Sequence, residues 1–304
     1  MLHHTIDIDM PATAIMNIRT ELFALAERVA AAVPLPPIAS ALITAAEPAP
    51  DKNTEFGLLA LADGCAGLYY AWLGESQADM PARFAIENLL GRPALELARY
   101  ALGDDDGTRS VGIAAINAIT EFVYRKAGFA PPAAPDSFGG LHFKAGDRLG
   151  MIGYFPPLAR RARELGIPTR IVERKAHMVT VAPNFEISLD PQVLADCNKI
   201  ICTGATLLND SFDTMLDYCA GAEQVALVGP TVGFFPDAVF ARGIDIVAGT
   251  RVLDSVRAQG CLSQNRKLDD CALRTVLRRS EYPGFEQLLA RAVGAVSDLP
   301  SPSP

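Results

Sequence analysis

The 304-residue sequence has few residues of the types that bind soft metals or form disulfides. It contains four histidines and six cysteines, and no two cysteines stand at CxxC spacing. Cysteines this sparse and irregular do not indicate a disulfide framework or a structural zinc site. Because several lie in apolar segments, we expect buried, unreactive thiols.

The sequence also lacks the features of three further classes of protein, namely membrane-spanning, secreted and nucleic-acid-binding proteins. No apolar run approaches the ~20 residues of a membrane-spanning helix, and the first ten residues lack the apolar core of a secretory signal. The net charge is −8, so the basic residues that would bind phosphates are outnumbered. The sequence therefore predicts a soluble, cytoplasmic protein without a nucleic-acid or membrane partner.

Composition and segment order predict two globular units. Hydrophobic residues make up 50% of the chain and charged residues 20%, as in folded domains. In residues 1–130 strands are followed by helices, an α+β pattern. Residues 131–146 are rich in Pro and Gly and are expected to link this unit to a Rossmann-like α/β domain over 147–260. Residues 261–304 are expected to form a helical extension with a disordered tail.

The amino-terminal unit is expected to contain one long buried helix. Periodicity and turn residues predict helices over 14–32, 82–90 and 93–102, and strands over 38–46, 56–62 and 66–73. Residues 111–123 are apolar nearly all round, so this helix should be buried. Asn117 lies in its middle and needs hydrogen-bond partners. Two interpretations of Asn117 carry equal weight, a core amide bonded to backbone or a residue that lines an interdomain cleft.

The carboxyl-terminal unit alternates short apolar runs with amphipathic ones. Such runs predict a parallel sheet covered by helices, whose ligands bind at the carboxyl ends of the strands. Three of these ends are small turns that carry hydroxyl groups or glycine and let a ligand approach the backbone. They read Thr203-Gly204-Ala205-Thr206, Gly229-Pro230-Thr231 and Gly249-Thr250.

An acidic residue ends the second strand of this unit. Glu173 lies twenty positions after Gly153, where an acid hydrogen-bonds ribose in nucleotide-binding folds. The glycine fingerprint is absent, however, and Pro156 and Pro157 remove amides that a pyrophosphate would use. A nicotinamide or flavin oxidoreductase is thus disfavoured, while an adenosine-type or other small ligand stays open. A solvated strand-end acid is an equally weighted interpretation of Glu173. Ligand contact is favoured for the turn from Thr203 to Asn209.

Several longer pieces of the sequence match one family pattern. They read GYFPPLARRARELG, IVER, ADCNKIICTGATLLNDSFDTML, VALVGPT and GIDIVAGTRVLD. In these pieces, residues from about 148 to 255 resemble the Rossmann-like domain of the family named "putative heavy-metal chelation". The pieces FGLLALADG and VGIAAINAI resemble that family's companion domain, which is similar to the amino-terminal domain of enolase.

This resemblance implies a site in the cleft between the two domains, with a role in handling a metal or a metal-chelating small molecule. Two positions depart from the family pattern, with Asp210 in place of Gly and Lys175 in place of Asn. The implied ligand-binding residues, with Gly249 added from the strand-end pattern, are Asn117, Gly153, Tyr154, Phe155, Glu173, Thr203, Gly204, Thr206, Asn209, Gly229, Pro230, Thr231 and Gly249.

Two functions remain open at this point. The first is a binding protein for a metal chelate or a chelator. The second is an enzyme that acts on a small metabolite in chelator or cofactor biosynthesis, with Glu173 as catalytic acid or base. No histidine lies in the matched turns, so the metal and its ligands are not assigned, and a preformed chelate is favoured over direct coordination. The apolar turn that contains Val232, Phe234 and Phe235 suggests either a lid or a homodimer contact.

Overall fold

The computed structural model describes residues 17–44, 55–71, 79–134, 138–268 and 270–297. The described residues do not include His3, His4 or the tail over 298–304. The prediction of a disordered tail therefore concerns residues that are not described.

The amino-terminal half packs a small antiparallel sheet against one long helix. The sheet has the strand order β1-β2-β3, and β2 and β3 form a hairpin whose turn contains Gly64, with φ 86°. The predicted helices over 82–90 and 93–102 are shorter than expected, because α-helix is confined to Met80–Arg83 and Ala94–Ala98 and each is followed by a 3₁₀ turn, at Ile86–Asn88 and Arg99–Leu102. The described elements are α1 (Ile18–Ala32), β1 (Ile38–Leu42), β2 (Phe56–Leu61), β3 (Ala66–Tyr70), α2 (Met80–Arg83), α3 (Ala94–Ala98) and α4 (Asp106–Lys126).

Helix α4 is the predicted buried helix and organises this half. It spans 21 residues, is capped by Asp105, whose side chain accepts from the Thr108 amide, and is buried along most of its length. Strand β3 lies directly on it, since a Cβ at Gly67 would stand 2.1 Å from the Ala114 carbonyl oxygen. No described helix, α4 included, is both long and apolar enough to cross a membrane.

The carboxyl-terminal half is built on an eight-stranded sheet in the order β11-β10-β9-β8-β4-β5-β7-β6. The six central strands are parallel, and β6 and β11 run antiparallel at the two edges. The elements are β4 (Leu149–Ile152), α5 (Pro156–Glu164), β5 (Thr169–Val172), β6 (Thr180–Ala182), β7 (Phe185–Ser188), β8 (Lys199–Thr203), α6 (Phe212–Asp217), β9 (Gln224–Val228), α7 (Asp237–Ala241), β10 (Ile246–Val252), α8 (Ser255–Ser263), β11 (Ala272–Arg278) and α9 (Phe285–Ser297). The α/β fold expected from the sequence is thus confirmed.

Two expectations for the end of this half are wrong. Gly249 and Thr250 do not form a turn after a strand, because β10 continues through them to Val252. The residues after 260 are not purely helical, because β11 pairs with β10 along its whole length, from Val252 opposite Ala272 to Ile246 opposite Arg278. This antiparallel ladder satisfies the backbone of the second part of β10 and so extends the strand.

The two halves share one apolar core. Phe235 packs edge-on against Tyr124 of α4 and against Phe285 of α9, with ring centroids 5.7 and 4.9 Å apart. Val232 and Phe234 are each 2% exposed. The apolar turn is therefore part of the core and not an exposed lid or dimer contact, which corrects that interpretation. The homodimer itself stays a prediction.

Candidate functional site

Four parallel strand ends lie side by side where the strand order reverses. The chain passes from β4 outward to β5 on one side and later to β8 and β9 on the other, so the reversal lies between β4 and β8. Ligands of open α/β sheets bind at this point. The strand ends carry Gly153, Glu173, Thr203 and Gly229.

The backbone packs tightly at these strand ends. A Cβ at Gly153, whose φ is 87°, would stand 2.9 Å from the Thr203 methyl carbon. Gly229 has φ 134°, and its Cβ would stand 4.0 Å from the Gly204 amide nitrogen. Glycine is required at Gly153 and Gly229 by conformation. The structure thus brings together Gly153, Thr203, Gly204 and Gly229, as the sequence predicted.

Glu173 joins this group through two backbone hydrogen bonds. Its Oε2 accepts from the Tyr154 amide at 3.1 Å, and its Oε1 accepts from the Arg174 amide at 2.8 Å. The side chain therefore fixes the turn that leads through Phe155 into α5. That helix begins at Pro156, so the predicted loss of amides at its start is confirmed.

Two residues of the amino-terminal half, Tyr70 and Glu55, interact electrostatically with residues of this group. Burial raises the pKa of Tyr70, and the negative charges of Glu55 and Glu173 raise it further. Burial also raises the pKa of Glu55, while the positive charge of Lys175 opposes this shift. We call Gly153, Tyr154, Glu173, Thr203 and Gly229, with Tyr70 and Glu55, the strand-end cluster. Tyr70 and Glu55 were missed because nothing in the local sequence links β2 and β3 to β5.

The polar groups of the turn after β8 bond mainly within the turn. Thr203 Oγ1 accepts from the Ala205 amide at 3.3 Å, and the buried Thr206 hydroxyl donates to the Thr203 carbonyl at 2.7 Å. Asn209 Oδ1 accepts from the amide and the hydroxyl of Ser211 at 3.2 and 2.6 Å. Thr206 and Asn209 therefore shape the turn, whereas Thr203, half-buried beside Gly153, is the residue of this turn that borders the strand-end cluster.

Two buried arginines hold the end of this turn. Arg19 of α1 and Arg109 of α4, 7% and 8% exposed, both pair with Asp210. They also donate to the Leu207 and Leu208 carbonyls. Asp210 has φ 60°, a left-handed conformation that glycine adopts more readily. This conformation explains why the family pattern has Gly at this position. Both arginines were missed, since an isolated Arg on a helix gives no local signal.

Asn117 links the two halves through backbone groups. Its Nδ2 donates to the Leu68 and Thr231 carbonyls at 2.9 and 2.8 Å, and its Oδ1 accepts from the Gly233 amide at 3.2 Å. Thr231 Oγ1 accepts from the Tyr70 amide at 2.9 Å. Asn117 is thus a buried amide bonded to backbone, as one of the two interpretations stated, and it lies on the boundary between the halves.

A small cavity is lined in part by Asn117. Its lining includes Asn117, Pro230 and Gly249 together with the Glu121–Arg251 ion pair. The space open to water-sized molecules is about 40 Å³, enough for a few waters but not for an organic ligand. The predicted residues therefore divide between this cavity and the strand-end cluster.

Two family models match this chain, and both carry the description "putative heavy-metal chelation". One matches residues 136–275 and the other residues 55–120. The chain belongs to this heavy-metal chelation family. The matched segments hold the strand-end cluster and both sides of the boundary at Asn117.

One relative of this chain is described as uncharacterised. An uncharacterised protein of Methanocaldococcus jannaschii is 27% identical over 154 residues, which are 49% of this chain and 57% of the relative. The matched region thus spans little more than half of that relative's length.

Two crystal structures of family members share the fold. One, from Pyrococcus horikoshii, has a TM-score of 0.59 and 17% identity, and covers 87% of this chain and 99% of its own. The other, from Desulfitobacterium hafniense, has a TM-score of 0.61 and 18% identity, and covers 86% and 99%. Both are described as proteins of unknown function.

The family description concerns heavy metals, which proteins coordinate directly through grouped side chains such as Cys and His. In the described part of the chain these side chains are scattered. Within it, no three His, Cys, Asp or Glu side chains come together as metal ligands. Burial raises the pKa of the Cys197, Cys202 and Cys219 thiols to about 11, 12 and 12. These three thiols stay protonated near neutral pH, as the sequence predicted for buried cysteines.

Proposed function

We propose that the chain binds a small polar ligand, a metal chelate or a free chelator, at the strand-end cluster between its two halves. The observation that carries the proposal is the position of Glu173 at the end of β5, one strand from the strand-order reversal between β4 and β8. Its carboxylate orders the Tyr154 turn and raises the pKa of Tyr70 across the boundary between the halves. A ligand held there would contact both halves at once.

The groups available suit recognition of an organic molecule. Tyr70 offers a phenol, Thr203 a hydroxyl, and Glu55 and Glu173 carboxylates, while the glycine at 153 exposes backbone. Oxygen groups of this kind bind hydroxyls, amines and carboxylic acids by hydrogen bonds. They would also suit a hard cation, but a soft heavy metal needs thiolate or imidazole ligands. The metal is therefore proposed to enter within its chelate.

The charges at the cluster favour a ligand with both acidic and basic groups. The positive charge of Lys175 acts on Glu55, and the negative charges of Glu55 and Glu173 act on the Tyr70 phenol. Amino-carboxylate chelators present the complementary groups. A ligand carboxylate would pair with Lys175 and a ligand amine with Glu55.

The test compares a bare ion with its chelates. Binding of nickel(II) chloride, nickel(II)–histidine, nickel(II)–citrate, histidine and citrate is measured by calorimetry. We expect one of the chelates or chelators to bind and Glu173→Gln and Tyr70→Phe to weaken it about tenfold, the effect of losing one hydrogen bond to a charged group. Glu186→Gln and Tyr218→Phe, at half-buried positions away from the cluster, are the matched controls.

Two outcomes would contradict the proposal. One is tight binding of nickel(II) chloride that the cluster variants leave unchanged. The other is binding of a chelate with equal affinity in wild type and both variants. Native mass spectrometry and elemental analysis of the protein from its own source provide an independent check, because a bound chelate adds a mass together with a metal.

The raised pKa of Glu55 favours an enzyme as the second candidate. Burial keeps this carboxyl protonated to higher pH than usual, which suits a general acid beside a substrate. Glu173, the acid or base predicted from the sequence, is instead engaged with two amides. Under this second proposal, a bound metal-free metabolite would be converted on incubation, and Glu55→Gln would abolish turnover while leaving binding intact.

A further inference from the structure

Two arginines from different helices of the amino-terminal half meet at the side chain of Asp210. Arg19 of α1 pairs through its Nη1 with Asp210 Oδ1. Arg109 of α4 places its Nη2 2.5 Å from Asp210 Oδ2. Each arginine thus takes one oxygen of the same carboxylate. Two guanidinium groups that converge on adjacent oxygens have a geometry that also binds a phosphate group.

The two guanidinium groups are held by further contacts that do not involve Asp210. Arg109 donates to three main-chain carbonyls at distances of 2.8 to 3.2 Å. Arg19 donates to the Leu207 carbonyl at 3.1 Å. The side chains of the two arginines are only 9% and 10% exposed. We therefore expect them to keep their places when the aspartate side chain is removed, which lowers the ordering cost of binding another anion.

The charges at this place balance only while Asp210 is present. Asp106 is a second acid at the arginines, and its carboxylate lies 3.5 Å from Arg109 Nη1. Without the Asp210 carboxylate, two buried positive charges would face one negative charge. Because an unpaired buried charge is strongly destabilising, the site without its aspartate should draw an anion from solvent.

The site can be reached from solvent, because the side chain of Asp210 is 45% exposed. Within the part of the chain that the structure describes, Arg19 Nε is the one buried side-chain donor without a hydrogen-bond partner. Both carboxylate oxygens of Asp210 are already engaged, whereas a phosphate group has four oxygens and so has acceptors to spare for a further donor. A tetrahedral oxyanion is thus expected to bind here more tightly than a carboxylate.

We propose that Arg19 and Arg109 form a binding site for oxyanions, phosphate above carboxylate, and that the carboxylate of Asp210 is the anion that occupies it in this chain. A tethered carboxylate has a high effective concentration at the arginines, so it competes with dissolved anions. Asp210 is thereby the residue that closes the site to free phosphate. The site lies at the end of the turn after β8, and it does not depend on the function proposed for the strand-end cluster.

Removal of the occupant tests the proposal. Inorganic phosphate, acetate and chloride are titrated at pH 7 and constant ionic strength into Asp210→Gly and wild type, and thermal unfolding is followed. We expect Asp210→Gly to bind phosphate with a Kd on the order of 1 mM and acetate more weakly. At about 100 mM phosphate its Tm should then lie roughly 5 °C above the value in chloride. Wild type should bind phosphate about a hundredfold more weakly, because Asp210 competes for the arginines.

Three further variants separate the site from a general salt effect, since phosphate stabilises many folded proteins to some extent. Asp196→Gly removes the acid of the pair Arg148–Asp196, whose side chains are 49% and 73% exposed, and should respond to phosphate as wild type does. Arg19→Gln in the Asp210→Gly background should abolish the additional response. Arg109→Lys in the same background keeps the charge but loses the planar fork, and should weaken phosphate binding about tenfold.

Two results would overturn the proposal. One is an Asp210→Gly variant that responds to phosphate no more than wild type does, and the other is a full response that persists after Arg19→Gln. If Asp210→Gly is unfolded in chloride, circular dichroism decides the question. Recovery of the fold in phosphate then supports the proposal, and failure to recover in any of the anions contradicts it.

Discussion

The side-chain amide of Asn117 on α4 donates to the main-chain carbonyl of Thr231, 2.8 Å away and in the other half of the chain. The same side chain bonds Leu68 in its own half and Gly233 beyond the boundary. One buried amide thus pairs three backbone groups that would otherwise be left without partners on the surfaces that join the halves.

Replacing Asn117 should destabilise the whole protein. In Asn117→Ala, two carbonyls and one amide lose this partner in a site that is 3% exposed. At roughly 1–3 kcal/mol for each buried group left unpaired, partly offset by relaxation, we expect a loss of about 3 kcal/mol. Urea unfolding followed by circular dichroism measures the change in the free energy of unfolding.

The variant Asn117→Asp separates the contribution of the hydrogen bonds to stability from that of the side-chain shape. Asn117→Asp has nearly the same shape and keeps the acceptor for the Gly233 amide, but it turns an oxygen toward the Leu68 and Thr231 carbonyls. It should therefore be at least as damaging as alanine at pH 7. Asn88→Ala, at an exposed position, should change stability by less than about 0.5 kcal/mol. Equal stability of wild type and Asn117→Asp would refute the role given to this amide.

The Glu121–Arg251 ion pair should contribute a large coupling energy across the same boundary. Two nitrogens of Arg251 contact the carboxylate at 2.8–3.0 Å, and the side chains are only 8% and 21% exposed. Removing one partner leaves the other charge buried, so each single methionine variant should lose about 3 kcal/mol. Glu121→Met with Arg251→Met should lose much less than the sum of the two.

A double-mutant cycle measures this coupling, and the exposed pair Arg161–Glu164 serves as the control. Its side chains are 52% and 54% exposed, so its coupling should stay below about 0.5 kcal/mol. Additive losses at Glu121 and Arg251 would show that the two charges do not stabilise each other.

Most of the fold could be predicted from local sequence patterns. The parallel strands, the buried helix α4 and the glycine-lined strand ends all follow from periodicity and turn residues within short windows. Strand β11 could not be predicted in this way, because residues Ala272–Arg278 form a strand by pairing with β10. The same pairing extends β10 beyond Gly249. A ladder between distant segments is a tertiary effect that short-range propensity does not encode.

The candidate site was predicted only in part, for a similar reason. Gly153, Glu173 and Thr203 are tied to strand ends and could be placed from the sequence. Tyr70 and Glu55 enter the cluster because β3 packs on α4, which fixes one half on the other. The choice between the two interpretations of Asn117 likewise depended on carbonyls far away in the chain, which no local pattern contains.

Asp105 should stabilise the start of α4 in a pH-dependent way. Burial raises the pKa of this carboxyl, but hydrogen bonds from Arg83 and Thr108 outweigh burial and hold the pKa well below its usual range. A pKa depressed in the folded state means that the stabilisation is complete above the unfolded value of about 3.9. It is lost as the pH falls through the folded value.

Asp105→Ala tests this dependence. At pH 7 the variant should be less stable by about 1 kcal/mol, the usual effect of removing a helix cap. The difference from wild type should shrink as the pH falls below about 4, because the unfolded chain then binds a proton at Asp105 that the folded protein does not yet bind. Urea unfolding at pH 7, 5, 3 and 2 measures it, with exposed Asp104→Ala as control. A difference that is constant with pH would contradict an ionised cap.

Two glycines inside helices should respond to alanine with opposite signs. Gly112 of α4 is where the helix crosses the short 3₁₀ turn Arg99–Leu102, and a Cβ there would stand 1.8 Å from the Ala101 amide nitrogen. Backbone cannot yield by that distance without separating the two elements. Gly294 of α9 has no neighbouring atom within 4 Å of its added Cβ, so alanine there only reduces the entropy of the unfolded chain.

We therefore expect Gly112→Ala to lose more than about 3 kcal/mol or to fail to fold, the range of severe core overpacking. Gly294→Ala should gain about 0.5–1 kcal/mol from helix propensity. Thermal and urea unfolding of both variants test the pair together. Since the substitution is the same in both helices, propensity alone would shift both in the same direction. A stabilised Gly112→Ala variant would mean that α4 and the 3₁₀ turn are not in contact.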